Sequence, residues 1–382
     1  MKIIKLVIPL LLLIVAACSS NTNKEDLLII DVNKNHSKII LNLQDIADVE
    51  YIKLANDSNF LVRSRPLVFS ENYILTKGGK EGEILFFNHQ GQPLQKFCHY
   101  GNGPHEYNYI TNLRIDEERK EVYVHDVFSK KILVYNLTGN FIREFSSGDG
   151  RFIYNFNKNT FLFYNTETNT VNPDLKPYFS LVSKEDGAIM KRIEVPMVSG
   201  KRHDLAITKI VKGGNFTYTA MHLPLARYKD GYILNELSSD TIYKYTFGET
   251  LSPFIVRTPS VNDIPVYLEE GVETSKYIFM VRIAINEKDE QNMFPKTNWV
   301  YDKDKKNIYE YNIVNKDFPE IQLALDAHML NLDIEPGYGL SRFNSGQLIE
   351  AFKNGKLQGK LKDIASTLNE EDNDVLMLLK FK

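Results

Sequence analysis

Acid–base or metal chemistry in this 382-residue chain would have to come from its eight histidines and 49 acidic residues. His99, His105, His125 and Asp126 lie near one another in sequence, and imidazole with carboxylate suits zinc or a similar ion. Their spacing does not favour a site. No His-x-x-x-His or Cys-x-x-Cys pair occurs, and on a strand His125 and Asp126 point to opposite faces. No metal and no cofactor are therefore expected. A glycosidase needs two carboxylates at a set separation, which sequence does not supply, and runs such as Asp116-Glu117-Glu118 read as solvated turns. There is no Gly-x-Ser-x-Gly elbow and no phosphate-binding glycine loop ahead of a helix. The chain carries no catalytic signature, and no catalytic residue is assigned.

Two stretches hold residues suited to binding. In Gly101-Asn102-Gly103-Pro104-His105-Glu106-Tyr107, paired glycines and a proline shape a tight loop that could present His105, Glu106 and Tyr107 at a mouth. The alternative is scaffolding, with Glu106 accepting backbone N–H groups and Tyr107 filling a gap between packed units. The second stretch holds His203-Asp204 and then Phe216, Tyr218, Met221 and His222. Its aromatic residues suit a sugar ring or a peptide, although Phe216 and Tyr218 also alternate as core residues do.

The ends and the composition set the context. Lys2 and Lys5, an apolar run from Leu6 to Ala17, and Val15-Ala16-Ala17-Cys18 have the layout of an export signal ending in a cysteine. This resembles a bacterial lipobox: residues 1–17 would be removed, Cys18 acylated, and residues 18–26 would form a polar tether ahead of a domain spanning 27–382. Ser19 behind the cysteine resembles sorting to the outer membrane. Cys98 has no second cysteine to pair with and is expected to be a small buried hydrophobe. Without Lys2 and Lys5 the 46 basic residues become 44 against 49 acidic ones, a net charge of −5, which argues against a nucleic-acid partner.

Such side chains must be held by a framework, and that framework repeats. Gly91, Gly139 and Gly187 are each 48 residues apart, and each sits in a short turn between two strand-like runs. The runs are Ile84 to Asn88 with Leu94 to Phe97, Ile132 to Asn136 with Phe141 to Phe145, and Phe179 to Ser183 with Ile189 to Val195. Looser copies follow around Gly248 and Asp302-Lys303-Asp304. A further strand signal precedes each hairpin, as at Val122 to Val124 and Phe161 to Tyr164. Units of about four short strands describe propeller blades. The fold predicted is all-β: a six-bladed propeller, with seven blades possible and a pair of β-sandwiches as the competing architecture. Lone strands at Val49 to Leu54 and Val375 to Phe381 are expected to share one blade, so that no sheet edge stays open. The one helical pattern is Leu361 to Leu368.

Four stretches then resemble the six-bladed β-propeller lipoproteins, relatives of the NHL-repeat propellers. They are Val49-Glu50-Tyr51-Ile52-Lys53-Leu54, the Gly101 to Tyr107 loop, Ser239-Asp240-Thr241-Ile242-Tyr243, and Glu371-Asp372-Asn373 ahead of the closing strand. His105 stands where that family's loop carries a further glycine. The resemblance implies six blades and an outer-membrane lipoprotein, but no settled activity.

The expected function is thus non-enzymatic binding by a lipid-anchored propeller of a glycan, a peptide or an envelope protein. Candidate contacts are His105, Glu106, Tyr107, His203, Tyr218 and His222. Two alternatives stay open: a polysaccharide lyase or hydrolase working at the channel mouth, and a structural accessory subunit of an envelope transporter.

Overall fold

The computed structural model describes residues 27–165, 178–198, 203–211, 214–330 and 336–382. The export signal, Cys18 and the tether lie outside the described residues. The chain folds as a six-bladed β-propeller. Five blades follow in order, each a sheet of four consecutive strands. Blade 1 runs Val62–Phe69, Ile74–Gly78, Glu83–Phe87 and Pro93–Cys98, and blade 2 runs Asn112–Asp116, Glu121–Asp126, Lys131–Asn136 and Phe141–Ser146. Blade 3 runs Gly150–Asn155, Thr160–Asn165, Tyr178–Ser183 and Ile189–Ile193, and blade 4 runs Leu225–Tyr228, Gly231–Leu234, Thr241–Thr246 and Leu251–Thr258. Blade 5 comprises Val266–Glu273, Tyr277–Ala284, Lys296–Asp302 and Asn307–Asn315. First strands of neighbouring blades touch one another, which places them around the central axis.

Blade 6 closes the ring. It joins Tyr338–Phe343 and Val375–Phe381 to Ala47–Lys53 from the other end of the domain, with Val375 opposite Lys53 and Phe381 opposite Ala47. This is the predicted sharing of one blade by the terminal strands. Before reaching it, the chain adds two parallel strands to outer edges, Leu28–Asp31 on blade 4 and Lys38–Asn42 on blade 5. Two helices, Ser345–Lys353 and Gly359–Ala365, lie between the first two strands of blade 6 and bury Leu348, Ala351, Leu361 and Ala365.

The core sits between blades, which explains the strand sequences. In blade 2, Val122 and Val124 pack towards blade 1, while Tyr123, one residue out of phase, packs towards blade 3. Strands covered on both faces read as continuous apolar runs such as Lys131–Asn136, buried throughout its centre.

The glycine repeat marks where each outer hairpin leans on the blade before it. Gly139 has φ +88°, and a Cβ there would stand 2.6 Å from the Cβ of Phe97 in blade 1. At Gly187, φ +76°, it would meet the Phe145 ring of blade 2 at 2.7 Å. Both strain and space require glycine. Gly139→Ala should lower the unfolding free energy by roughly 1–3 kcal/mol in urea titration; an unchanged midpoint would contradict this contact.

Cys98 corrects an expectation. It ends the outermost strand of blade 1 and is exposed, with no further strand to cover it.

Candidate functional site

The strand Gly150–Asn155 of blade 3 has an opening at each end. Arg151 and Phe152 line one, and Asn155, with Phe156 and Asn157 beyond it, lines the other. Asp326, His328 and Met329 line the first opening, and Pro336 and Tyr338 line the second. The 3₁₀ turn Ala327–Leu330 packs against the first strands of blades 4, 5 and 6.

The larger opening, about 770 Å³, takes its lining from every blade or a segment adjoining it. Lys77 comes from blade 1, Tyr109 and Asn112 from blade 2, Arg151 and Phe152 from blade 3, Met221 from the approach to blade 4, Asp326 from the exit of blade 5, and Arg342 from blade 6. Lys77 Nζ stands 4.8 Å from the centre of the Tyr109 ring, and Phe128 meets Tyr109 edge-on at 5.2 Å. Burial lowers the Lys77 pKa. Burial raises the Asp326 carboxyl above its ordinary range, against the opposing charge of His328. Arg342 is paired with Asp374 at 3.2 Å.

Asp126 builds this rim from beneath. Its buried carboxylate accepts the N–H groups of Asn108 at 3.0 Å, Tyr109 at 3.3 Å, and Phe128 and Ser129, both at 3.1 Å. Burial would raise its pKa, but these hydrogen bonds outweigh that and hold it low. Its neighbour His125 is held down at about 4 by burial. Among the described residues, no group of three or more His, Cys, Asp or Glu could hold a metal ion.

The residues singled out in sequence fall in three places. Around the Gly101 to Tyr107 loop, Glu106 Oε2 accepts the Gly103 N–H at 2.7 Å, and the buried Tyr107 hydroxyl donates to Gly82 O at 2.6 Å. His105 stacks on Phe141 of the outermost strand of blade 2, 3.8 Å between ring centres, and none of the three lines either opening. His203 is buried between blades 4 and 5, where its ring nitrogens meet Tyr267 Oη at 3.3 Å and Asn262 Oδ1 at 2.9 Å.

His222 directly follows a mouth residue, Met221, and is itself pinned inward. Its Nδ1 faces Glu269 Oε1 at 2.6 Å and its Nε2 faces Asn235 O at 2.9 Å. Burial disfavours the charged ring, yet the hydrogen bond and charge of Glu269 prevail and raise its pKa. Tyr218 lies on a hairpin, Ala206–Val211 with Gly214–Thr219, inserted between blades 3 and 4. Phe216 and Tyr218 are not core: they are 54% and 45% exposed, and neither lines either opening.

Lys77, Tyr109, Arg151 and Arg342 escaped the sequence reading. The legible signal was position: Tyr109 and Arg151-Phe152 fall just before or at the first strand of a blade, where the ring turns side chains towards its axis.

A family model described as a domain of unknown function, DUF4934, matches residues 27–380. The chain belongs to that family. No curated protein matches it. Among solved structures, this DUF4934 chain is similar to a protein from Bacteroides fragilis described as exported. That match has 16% identity and a TM-score of 0.59, and covers 91% of this chain and 100% of the other. A member of the DUF4221 family from Bacteroides vulgatus matches at 10% identity and a TM-score of 0.44, covering 89% of this chain and 99% of the other. At 16% identity the likeness to the Bacteroides fragilis protein is one of fold.

Proposed function

We propose that this DUF4934 protein is an exported binding protein, acylated at Cys18 with palmitate-type chains and held at the outer membrane, in the manner of NHL-like propeller lipoproteins. Its ligand enters the 770 Å³ mouth. That pocket carries the reading, because it falls within the roughly 300–1,000 Å³ of small-ligand sites and draws on all six blades or the segments adjoining them. A rigid ring presenting preformed cations and aromatic faces loses little freedom on binding. The description of the Bacteroides fragilis relative as exported agrees with the lipobox-like start. A glycan, a peptide terminus or an exposed loop of an envelope protein each has the shape to enter.

A glycan and peptide array, read with wild-type protein and with a Tyr109→Ala/Phe152→Ala variant, tests the site. Signals should fall at least about tenfold in the variant, since losing two aromatic contacts removes on the order of 1–3 kcal/mol. Equal signals would move the site elsewhere. Palmitate labelling lost in Cys18→Ala tests the anchor.

A second reading, turnover of a bound polysaccharide, has one observation in its favour. Asp326 is a carboxyl with a raised pKa at the mouth, with His328 beside it. Product formation abolished by Asp326→Asn, with binding retained, would favour it.

A further inference from the structure

Resting on the mouth being the binding site, we propose that its ligand is an acidic saccharide, a sugar chain bearing carboxylate groups. Three cations line the opening, Lys77, Arg151 and Arg342, against one carboxylate, Asp326. Arg342 is engaged by Asp374, whereas Lys77 and Arg151 have no ion pair among the described residues. The Lys77 ammonium is half-buried against the Tyr109 ring, where the loss of water outweighs the more distant charge of Glu81 and no ion pair replaces it among the described residues. A ligand carboxylate would supply the missing charge.

The sign is local. The chain carries a net charge of −3, and the opposite opening places Glu50 and Glu71 beside Arg227. An anion approaching the ring is therefore drawn to one end and repelled from the other. The aromatic groups define the rest of the ligand. Tyr109, 47% exposed, and Phe152 line the opening, and Phe128, 77% exposed, stands edge-on against Tyr109. The C–H face of a pyranose packs flat on such a surface, and its hydroxyls match the hydroxyl and amide groups of Thr111, Gln322 and Ser341 in the same lining. Stacking faces of this kind favour a ring over a peptide backbone. Asp126 fixes Tyr109 and Phe128 through their backbone N–H groups, so the platform stands ready before ligand arrives.

The test is calorimetric titration of the full chain with oligogalacturonate, its methyl ester and polyglutamate, at low and high salt. Oligogalacturonate should bind at least about tenfold more tightly than the uncharged ester and weaken as salt rises. Arg151→Ala and Lys77→Met should each reduce its affinity about tenfold, while Lys191→Ala, on the outer strand of blade 3, leaves it unchanged. Equal affinity for acid and ester, both lost in Tyr109→Ala, would overturn the charge assignment and leave the mouth as the site. Preference for polyglutamate with the same dependence on Arg151 would overturn the saccharide. Failure of all three probes overturns the proposal; if the array signals still disappear in the aromatic variant, the mouth reading survives that failure.

Discussion

Asp116→Ala is expected to destabilise the propeller by about 3–5 kcal/mol, because it takes the carboxylate away from a buried ammonium. Asp116 ends the first strand of blade 2, and its Oδ2 meets Lys184 Nζ of blade 3 at 2.7 Å. The side chains are 9% and 3% exposed, so neither charge has water to fall back on. The pair belongs to a seam in which Arg143 of blade 2 bonds Glu121 through both guanidinium ends, at 2.6 and 2.9 Å, and donates to the backbone oxygens of Lys184 and Glu185. Since the loss arises from a buried charge that has lost its carboxylate, Asp116→Leu/Lys184→Met should recover most of it. A double variant that loses as much as Asp116→Ala in urea titration would mean that the ion pair itself, rather than the charge left behind, provides the stability.

Glu270→Met is expected to act in the opposite direction. Glu270 lies in the first strand of blade 5, and neither carboxyl oxygen has a hydrogen-bond partner among the described residues. Burial raises its pKa well above 4.5, and Glu273 adds to this; Lys244 and Lys303 pull the other way but are themselves paired to Glu273. The folded state therefore keeps a proton that the unfolded chain releases near its ordinary carboxylate pKa. Stability falls as pH rises from about 4.5 through the raised folded value, and the penalty is complete above it. Removing the carboxyl should add roughly 1–3 kcal/mol, more at pH 8 than at pH 5. A loss of stability, or a gain independent of pH, would show that Glu270 has a partner.

The legible parts of the fold were those where one residue type answers one constraint. Gly139 and Gly187 stood out because positive φ and contact with the preceding blade both demand glycine, and they marked the outer hairpins. The pairing of Val375–Phe381 with Ala47–Lys53 followed from the need to cover an edge. The strands Leu28–Asp31 and Lys38–Asn42 gave no such signal: they lie on the outside, with Ile29 64% and Ile40 73% exposed.

The site was harder because its residues, from Lys77 to Arg342, meet only through ring closure. Local spacing instead drew attention to His105 and His203. Their rings serve packing, His105 on Phe141 and His203 between Tyr267 and Asn262. Asp126 shows the same difficulty from another side, since a carboxylate beside a histidine suggests a ligand set but here fixes a backbone turn.

Hydrogen–deuterium exchange of the full chain, with and without the best-bound array ligand, tests the mouth most directly. Slowed exchange should appear together at 109–112, 151–152, 221–223, 322–329 and 340–342, segments that only the ring brings to one rim. Slowing confined to His89, Asn155 and Asn157 at the opposite opening, or to outer strands alone, would contradict it.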